Sequence, residues 1–292
     1  MQEYFLGLVG YPIEHSLSPK LHNLALSTLD IPGTYALYPC PPTQEGQETL
    51  LNLLNKLRNN QLHGLNITVP LKQTIIPLLD DMTSSALAVG AVNTIYLENG
   101  NLMGDNTDAP GFLADLQSSG LWPQSGTGTA LILGAGGGAS AAAYGLAAAG
   151  WELFIAARRI EQANSLITLL GKIPNISSKQ LLPISLQSSS LHPIINNCDL
   201  VINTTPVGMY PNINDSPWPK DLALPANTGF YDLIYNPSES KLLTSAKAVG
   251  LPTRNGLGML VEQAALSFEI WTGKPAPRTA MYTAITGQRE SP

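Results

Sequence analysis

The sequence predicts an α/β protein with two domains, on the strength of three observations. Short apolar runs alternate with segments of helical periodicity along most of the chain, a pattern typical of parallel sheets with helical crossovers. One apolar run passes through a glycine cluster directly into a helical segment, at LILGAGGGASAAAYGL. The chain has 292 residues, which is long for one hydrophobic core and favours two domains.

The composition argues against several classes of protein. The formal net charge is −6 and the isoelectric point is about 5.2, so we expect no nucleic-acid partner, which would favour a basic face. Only 12% of the residues are charged, against a usual share of about 25%, so each charged side chain is informative. Cys40 and Cys198 form no disulfide framework, and neither they nor the four histidines have metal-ligand spacing. We therefore expect no metal and two buried thiols in a reducing compartment.

No membrane or targeting segment is predicted. The stretch from Leu116 to Trp151 has no charged residue, but glycine and alanine replace the large apolar residues of a lipid-facing helix. The chain also starts without a basic region followed by a long apolar stretch. We expect a cytoplasmic protein that acts on small molecules.

The first series of elements carries a hairpin. Apolar residues at 21, 24, 26 and 29 have helical spacing, and two apolar runs flank Asn99-Gly100, which is typical of a β-hairpin. We predict strands at 5–10, 34–39 and 64–69, and helices at 19–29, at 49–58, from Pro70 and after Asp108.

The second series alternates more regularly. We predict strands at 129–134, 152–157, 199–205 and 229–235, and helices at 139–150, 161–171, 240–250 and 259–273. A serine-rich stretch around 181–190 has no clear pattern.

The glycine cluster predicts a dinucleotide site. Gly134, Gly136 and Ala139 match G-x-G-x-x-A between a strand and a helix, the fingerprint of a Rossmann-type domain. The first glycine makes a tight turn, the second lets the backbone approach the pyrophosphate, and the helix N-terminus offers free N–H groups to the phosphates. A purely structural glycine turn is the alternative.

The next strand favours NADP over NAD. It ends in Arg158-Arg159, whereas an NAD site usually has an acidic residue there. Glu152 lies at a suitable sequence distance but opens the strand. Arginine suits the extra 2′-phosphate in charge and geometry, although both arginines could also be solvated at a helix start.

Two polar groups mark the first series. Ser16 and Ser18 precede a helix that Pro19 should begin; Ser18 is expected as N-cap, and the pair could bind a carboxylate.

In LNITVPLKQ, Lys72 falls in the first turn of a helix, where the helix dipole disfavours a cation. Such a position eases proton exchange, so Lys72 is a candidate acid or base.

Seven motifs together resemble the shikimate dehydrogenase family. They are HSLSPKLHN, NITVPLK, GAVNT, GDNTD, LGAGGGAS, NTTPVGM and GMLVEQA, in the family's order and approximate spacing. The resemblance implies NADPH-dependent reduction of 3-dehydroshikimate to shikimate. It also implies two α/β domains flanking a cleft: a substrate-binding catalytic domain of residues 1–108 plus 256–292, and an NADP-binding Rossmann domain of residues 109–255.

The resemblance also assigns substrate residues. Lys72 and Asp108 match the catalytic pair, and both contact substrate. The other implied substrate residues are Ser16 and Ser18 for the carboxylate, Asn66, Thr68, Asn93 and Gln263 for the ring hydroxyls and neighbouring groups, and Tyr235 near the carboxylate. Without the family, Asp108 could instead cap the helix that follows it, and Lys72 could be a solvated surface lysine.

Cofactor residues follow in the same way. The implied pyrophosphate loop is Gly134, Ala135, Gly136, Gly137 and Gly138, and the implied adenosine-phosphate segment is Ala157, Arg158 and Arg159. Leu233, Gly256 and Met259 match positions near the nicotinamide, and Thr204 is a further implied cofactor residue.

The chain departs from the family at two cofactor positions. Ala157-Arg158-Arg159 replaces the usual Asn-Arg-Thr, which puts the ribose contacts of the lost asparagine in doubt while keeping the charge for the 2′-phosphate. Asn203-Thr204-Thr205 replaces Asn-Ala-Thr or Asn-Ala-Ser.

Two alternatives stay open at this point. One is a quinate or quinate/shikimate dehydrogenase, and the other is a non-catalytic NADP-binding sensor, which would not need the serine pair, Lys72 and Asp108 together. A homodimer is compatible with the sequence, which does not determine the oligomeric state.

Overall fold

The computed structural model describes residues 2–287, and the chain divides into two compact units. One unit comprises the chain up to Thr107 together with the chain from Val261, and the other comprises Asp108–Leu260. Each unit contains a six-stranded sheet with helices, which confirms the α/β class. Within residues 2–287, no helix is both long enough and apolar enough to cross a bilayer.

The first unit is a mixed α/β unit with a hairpin. Its elements before the boundary are β1 (Tyr4–Gly10), α1 (Ser18–Thr28), β2 (Gly33–Pro39), α2 (Gln44–Arg58), β3 (Gly64–Ile67), α3 (Leu71–Thr74), β4 (Asp81–Met82), α4 (Ser84–Val89), β5 (Thr94–Glu98) and β6 (Asn101–Asp105). The strand order is β2-β1-β3-β5-β6-β4. β5 is antiparallel to both β3 and β6, and the other pairings are parallel.

Local chemistry explains several boundaries in this unit. The β5–β6 turn has φ of 51° at Asn99 and 83° at Gly100, the left-handed pair that a two-residue hairpin requires. α2 starts a turn earlier than predicted because the Thr43 side chain accepts a hydrogen bond from the Gly46 N–H at 3.2 Å. α4, which we did not predict, is capped by Thr83 and ends at Gly90 with φ of 67°.

The second unit contains a fully parallel sheet. Its elements are α5 (Asp108–Ser118), β7 (Thr129–Leu133), α6 (Gly137–Ala148), β8 (Glu152–Ala157), α7 (Ile160–Leu170), β9 (Leu181–Ser185), α8 (Ser188–Leu191), β10 (Leu200–Asn203), β11 (Gly229–Asp232), α9 (Lys241–Ala248) and β12 (Thr253–Asn255). The strand order is β12-β11-β10-β7-β8-β9, and every pairing is parallel. This is the doubly wound order, in which the direction of winding reverses between β7 and β10.

The chain passes between the units twice, at Thr107–Asp108 and at Leu260–Val261. The second passage lies inside the long helix α10 (Leu257–Thr272), which is followed by α11 (Arg278–Thr286). α10 was predicted, whereas α11 and the short strand β12 were not. The serine-rich stretch around 181–190 contains β9, the edge strand beside β8.

Candidate functional site

The glycine loop of the second unit makes a turn that only glycine accommodates easily. β7 ends at Leu133, and Gly134 follows with φ of 115°, a left-handed value that disfavours other residues. A Cβ atom on Gly134 would also lie 2.6 Å from Oγ1 of Thr204. The Thr204 N–H and hydroxyl both donate to the Leu133 carbonyl, at 2.9 and 2.8 Å. The loop is therefore tied to the end of β10, at the point where the winding reverses.

The next glycines leave room for a ligand. Cβ atoms built on Gly136 or Gly137 would meet no atom within 4 Å. Gly136 is the N-cap of α6 and provides no side-chain cap, so the first N–H groups of this 12-residue helix are available to phosphate oxygens. Ala139 is fully buried in the core beneath the loop. These residues fit the pyrophosphate of a dinucleotide.

Arginines stand beside this loop on the neighbouring strand. β8 pairs with β7 so that Ala156 lies opposite Leu133, and Arg158 and Arg159 follow the buried Ala157. Both arginines are exposed, and within residues 2–287 neither side chain makes a hydrogen bond or ion pair. They are available to a phosphate group, which fits NADP.

The remaining predicted cofactor residues lie where β10, β11 and β12 end. The Leu233 N–H donates to the Asn203 carbonyl at 2.9 Å, and Leu233 approaches the loop, because a Cβ on Gly138 would lie 2.9 Å from its Cδ2. Gly256 packs so closely on the Leu233 backbone that any Cβ would collide with the Leu233 carbonyl. Met259 packs against the core of this unit.

Two predicted substrate residues belong to the second unit. Asp108 is buried and is the first residue of α5. Tyr235 follows β11, and burial raises the pKa of its phenol. All the other predicted substrate residues lie in the first unit.

The prediction that Ser18 caps helix α1 was wrong. α1 begins at Ser18 rather than Pro19, and its N-cap is Leu17, without a side-chain cap. Ser18 therefore does not cap the helix. Instead the Ser18 N–H donates to Oγ of Ser16 at 3.2 Å, and the Ser16 hydroxyl donates to Oγ of Ser18 at 3.2 Å. The two hydroxyls are thus adjacent at the start of α1.

Asn66 lies at the centre of a buried polar network. Its amide oxygen accepts from the Tyr35 hydroxyl at 2.8 Å. Its Nδ2 contacts the Asn93 carbonyl at 3.1 Å, Oγ1 of Thr94 at 3.3 Å and Oγ of Ser267 at 3.0 Å. The amide is thus largely satisfied by the protein itself, which limits its free hydrogen-bonding capacity.

Asn93 belongs to the same network. Its Oδ1 accepts from the Thr107 N–H at 2.8 Å, and its Nδ2 donates to the Thr107 hydroxyl at 2.9 Å. Thr107 immediately precedes Asp108, so Asn93 holds the first passage between the units by two hydrogen bonds. Gln263 lies one helical turn before Ser267, whose hydroxyl is 3.0 Å from the Gln263 carbonyl.

Thr68 and Lys72 both follow the end of β3. The Thr68 N–H donates to the Val9 carbonyl, and the Lys72 carbonyl accepts from the Val92 N–H at 2.8 Å. Lys72 lies in the short helix α3, as predicted, and the residue is half-buried. However, α3 has only four residues, so both of its ends lie within reach of Lys72. The argument from the helix dipole therefore loses its force here, because the effect depends on a distinct first turn.

Sequence reasoning missed Tyr35 and Ser267. Tyr35 is 3% exposed and Ser267 is fully buried, so a scan for exposed polar groups would pass over both. The spacing of Ser267 four residues after Gln263 was the available signal, since such residues share one helix face.

Comparison with known proteins shows which family the chain resembles. Residues 8–95 match the family model described as the shikimate dehydrogenase substrate binding domain. Residues 256–286 match the model described as the shikimate 5′-dehydrogenase C-terminal domain. Together these matches include the serine pair, Asn66, Lys72 and the region around Gln263.

Individual relatives extend the similarity over nearly the whole chain. The NADP(+) shikimate dehydrogenase of Carboxydothermus hydrogenoformans is 39% identical over 280 residues, covering 96% of this chain and 95% of the relative. That of Salinibacter ruber is 40% identical over 286 residues, covering 95% of each. A Thermus thermophilus shikimate 5-dehydrogenase solved with NADP(H) and shikimate has a TM-score of 0.82 at 35% identity, covering 96% of this chain and 98% of that one.

Proposed function

Because the chain belongs to the shikimate dehydrogenase family, we propose that it catalyses the reversible, NADPH-dependent reduction of 3-dehydroshikimate to shikimate. The activity belongs to the shikimate pathway of aromatic amino-acid biosynthesis. The observation in the structure that carries the proposal is the open glycine turn after β7 beside Arg158 and Arg159, whose side chains make no hydrogen bond or ion pair among the described residues. This combination suits a dinucleotide with an extra phosphate.

The reaction requires a hydride at the ketone carbon and a proton at the ketone oxygen. When bound, NADPH supplies the hydride. The chain's own residues must supply the proton, and we assign it to Nζ of Lys72. An ammonium group stabilises the negative charge that develops on the oxygen and can donate a proton to it. In the reverse direction the neutral amine accepts the proton.

The other residues of the proposal bind and orient. Asp108 is assigned as the partner of Lys72, because a carboxylate orients an ammonium group and favours its charged form. The hydroxyls of Ser16 and Ser18 are assigned to the substrate carboxylate. Asn66, Thr68, Asn93, Gln263 and Tyr235 complete the proposed substrate set.

Two further assignments accompany the function. Both cysteines are free and buried, which is in keeping with a reducing compartment, and we place the enzyme in the cytoplasm. A homodimer stays a prediction, which light scattering on the purified chain would test.

The test measures initial rates of reduction of NADP⁺ and NAD⁺ by the purified chain, each with shikimate and with quinate. We expect the highest kcat/KM for shikimate with NADP⁺, by about tenfold or more, since charge recognition of one phosphate is worth at least this much. A preference for quinate would instead support a quinate dehydrogenase. Absence of turnover with every pair would refute an oxidoreductase acting on these substrates.

A further inference from the structure

The buried network of the first unit has hydrogen-bond directions that can be worked out from its ends. The Asn93 backbone carbonyl can only accept, so the group of Asn66 that faces it must be the amide nitrogen. The amide oxygen of Asn66 is thereby turned toward Tyr35. Because that oxygen can only accept, the Tyr35 hydroxyl must donate to it.

The serine pair also acts on Tyr35. Burial raises the pKa of the Tyr35 phenol, and the Ser18 hydroxyl opposes that rise. The oxygen of Ser18 accepts from the Ser16 hydroxyl at 3.2 Å. The directed hydrogen bond of Tyr35 is the one that it donates to Asn66.

Tyr35 is firmly held by its surroundings. It is 3% exposed, and its ring stacks on His22 with centroids 4.3 Å apart and planes 2° from parallel. Trp271 lies against it at 6.3 Å. A side chain so enclosed cannot itself touch a substrate, so an effect of its hydroxyl on binding must act through Asn66, to which it donates.

We propose that Tyr35 is a positioning residue that orients the amide of the hydroxyl-binding Asn66, beside the carboxylate-binding serines. This inference rests on the proposed function, because that function gives Ser16, Ser18 and Asn66 their substrate. The Tyr35 hydroxyl fixes which end of the Asn66 amide faces each neighbour.

The test replaces the hydroxyl alone, with Tyr35→Phe, and measures the Kd of shikimate and of NADP⁺ separately by calorimetry. We expect the Kd of shikimate to rise about tenfold, the effect of losing a buried hydrogen bond that orients a binding group. The Kd of NADP⁺ should stay within about twofold. Tyr38→Phe is the matched control, since it removes a hydroxyl from the same strand whose side chain makes no hydrogen bond within residues 2–287.

Three results would overturn the proposal: a shikimate Kd within about twofold of wild type, an equal rise with Tyr38→Phe, or a parallel rise for NADP⁺. Should Tyr35→Phe fail to fold, Ser267→Ala removes a partner from the other end of the same amide, and it must weaken shikimate binding selectively or the proposal is wrong. Turnover by the wild-type enzyme tests the proposed function. The ratio of the shikimate Kd of the variant to that of wild type tests this inference, so the two failures are distinguishable.

Discussion

Arg254 donates to the buried carboxylate of Asp115 through two nitrogens, with Nη2 at 2.5 Å and Nε at 3.2 Å from Oδ1. The Tyr231 hydroxyl donates to the other carboxylate oxygen. These three residues tie α5, β11 and β12 together inside the second unit. Arg254 lies two residues before Gly256, so the ion pair also anchors the segment proposed to lie near the nicotinamide.

The first prediction concerns this pair. Arg254→Met should lower the free energy of unfolding by about 3 kcal/mol, because it leaves a buried carboxylate without its counter-charge. Urea denaturation measures the change. Lys247→Met is the control, since it breaks an ion pair with Glu239 whose side chains are 64% and 53% exposed; we expect a change below about 1 kcal/mol there. Equal effects of the two variants would contradict the prediction.

Sequence reasoning predicted the parts of this protein that depend on local sequence patterns. The glycine turn, the hairpin at Asn99-Gly100 and the strong helices are all set by residues close in the chain, and each was predicted. The ion pair of Asp115 with Arg254 spans 139 residues, and no local pattern marks it. The contact of Asn66 with Ser267 spans 201 residues, so the network around the proposed substrate groups emerges only when the fold brings α10 back to the first sheet.

Errors at element boundaries have similar causes. Ser18 was expected as an N-cap because serine favours that position, but the adjacent Ser16 supplies the acceptor for its N–H instead. The edge strand β9 contains Pro183 and ends in serine, so its local propensity is weak. It forms because β8 offers it a partner, which is a tertiary effect.

Lys72 carries the catalytic prediction. Lys72→Ala should lower kcat with shikimate and NADP⁺ by about 10²–10⁴-fold, the usual contribution of a general acid or base. The KM for NADP⁺ should change little. Stopped-flow or steady-state rates would measure this, and Lys172→Ala, at an exposed lysine of the second unit, should behave as wild type. Near-normal turnover by Lys72→Ala would remove this residue from the mechanism.

A substitution at Gly136 tests cofactor binding separately from folding. A methyl group at Gly136 meets no protein atom within 4 Å and its φ is −93°, so Gly136→Ala should fold with near-wild-type stability. The same methyl group would occupy the space proposed for the pyrophosphate, so the Kd of NADP⁺ should rise by about tenfold or more.

Gly134→Ala provides the contrast to that variant. Here φ is 115° and the added Cβ would lie 2.6 Å from Thr204 Oγ1, so we expect a loss of stability of about 1–3 kcal/mol. Thermal denaturation together with calorimetric NADP⁺ titration distinguishes the two variants. Unchanged NADP⁺ affinity in Gly136→Ala would show that the loop does not hold the pyrophosphate.

Arg158 and Arg159 should determine cofactor preference. In the double variant Arg158→Gln/Arg159→Gln, we expect kcat/KM with NADP⁺ to fall by about 10²-fold, because two charge-assisted contacts to one phosphate are lost. The value with NAD⁺ should change by less than about threefold, and this provides an internal control. An equal fall with both cofactors would mean that the arginines support the fold and do not recognise the 2′-phosphate.

His22 should make stability depend on pH. Burial lowers its pKa from 6.5 to about 3, and Asn66 opposes this larger effect. Within residues 2–287 neither ring nitrogen has a partner that meets hydrogen-bond geometry. The folded state therefore holds His22 neutral, while the unfolded chain takes up a proton as the pH falls below 6.5. Because the unfolded state binds more protons in this window, stability is fully present above pH 6.5 and is lost as the pH falls toward 3.

The size of this effect follows from the shift in pKa. Between pH 6.5 and pH 4.5 His22 should account for a loss of about 2–3 kcal/mol, at about 1.4 kcal/mol per pH unit. The difference in unfolding free energy between wild type and His22→Phe, measured by urea denaturation across this range, isolates the contribution from that of other groups. His192→Gln, at an exposed histidine, should follow the wild-type curve. If wild type and His22→Phe lose stability in parallel from pH 6.5 to 4.5, His22 is not the group whose protonation opposes folding.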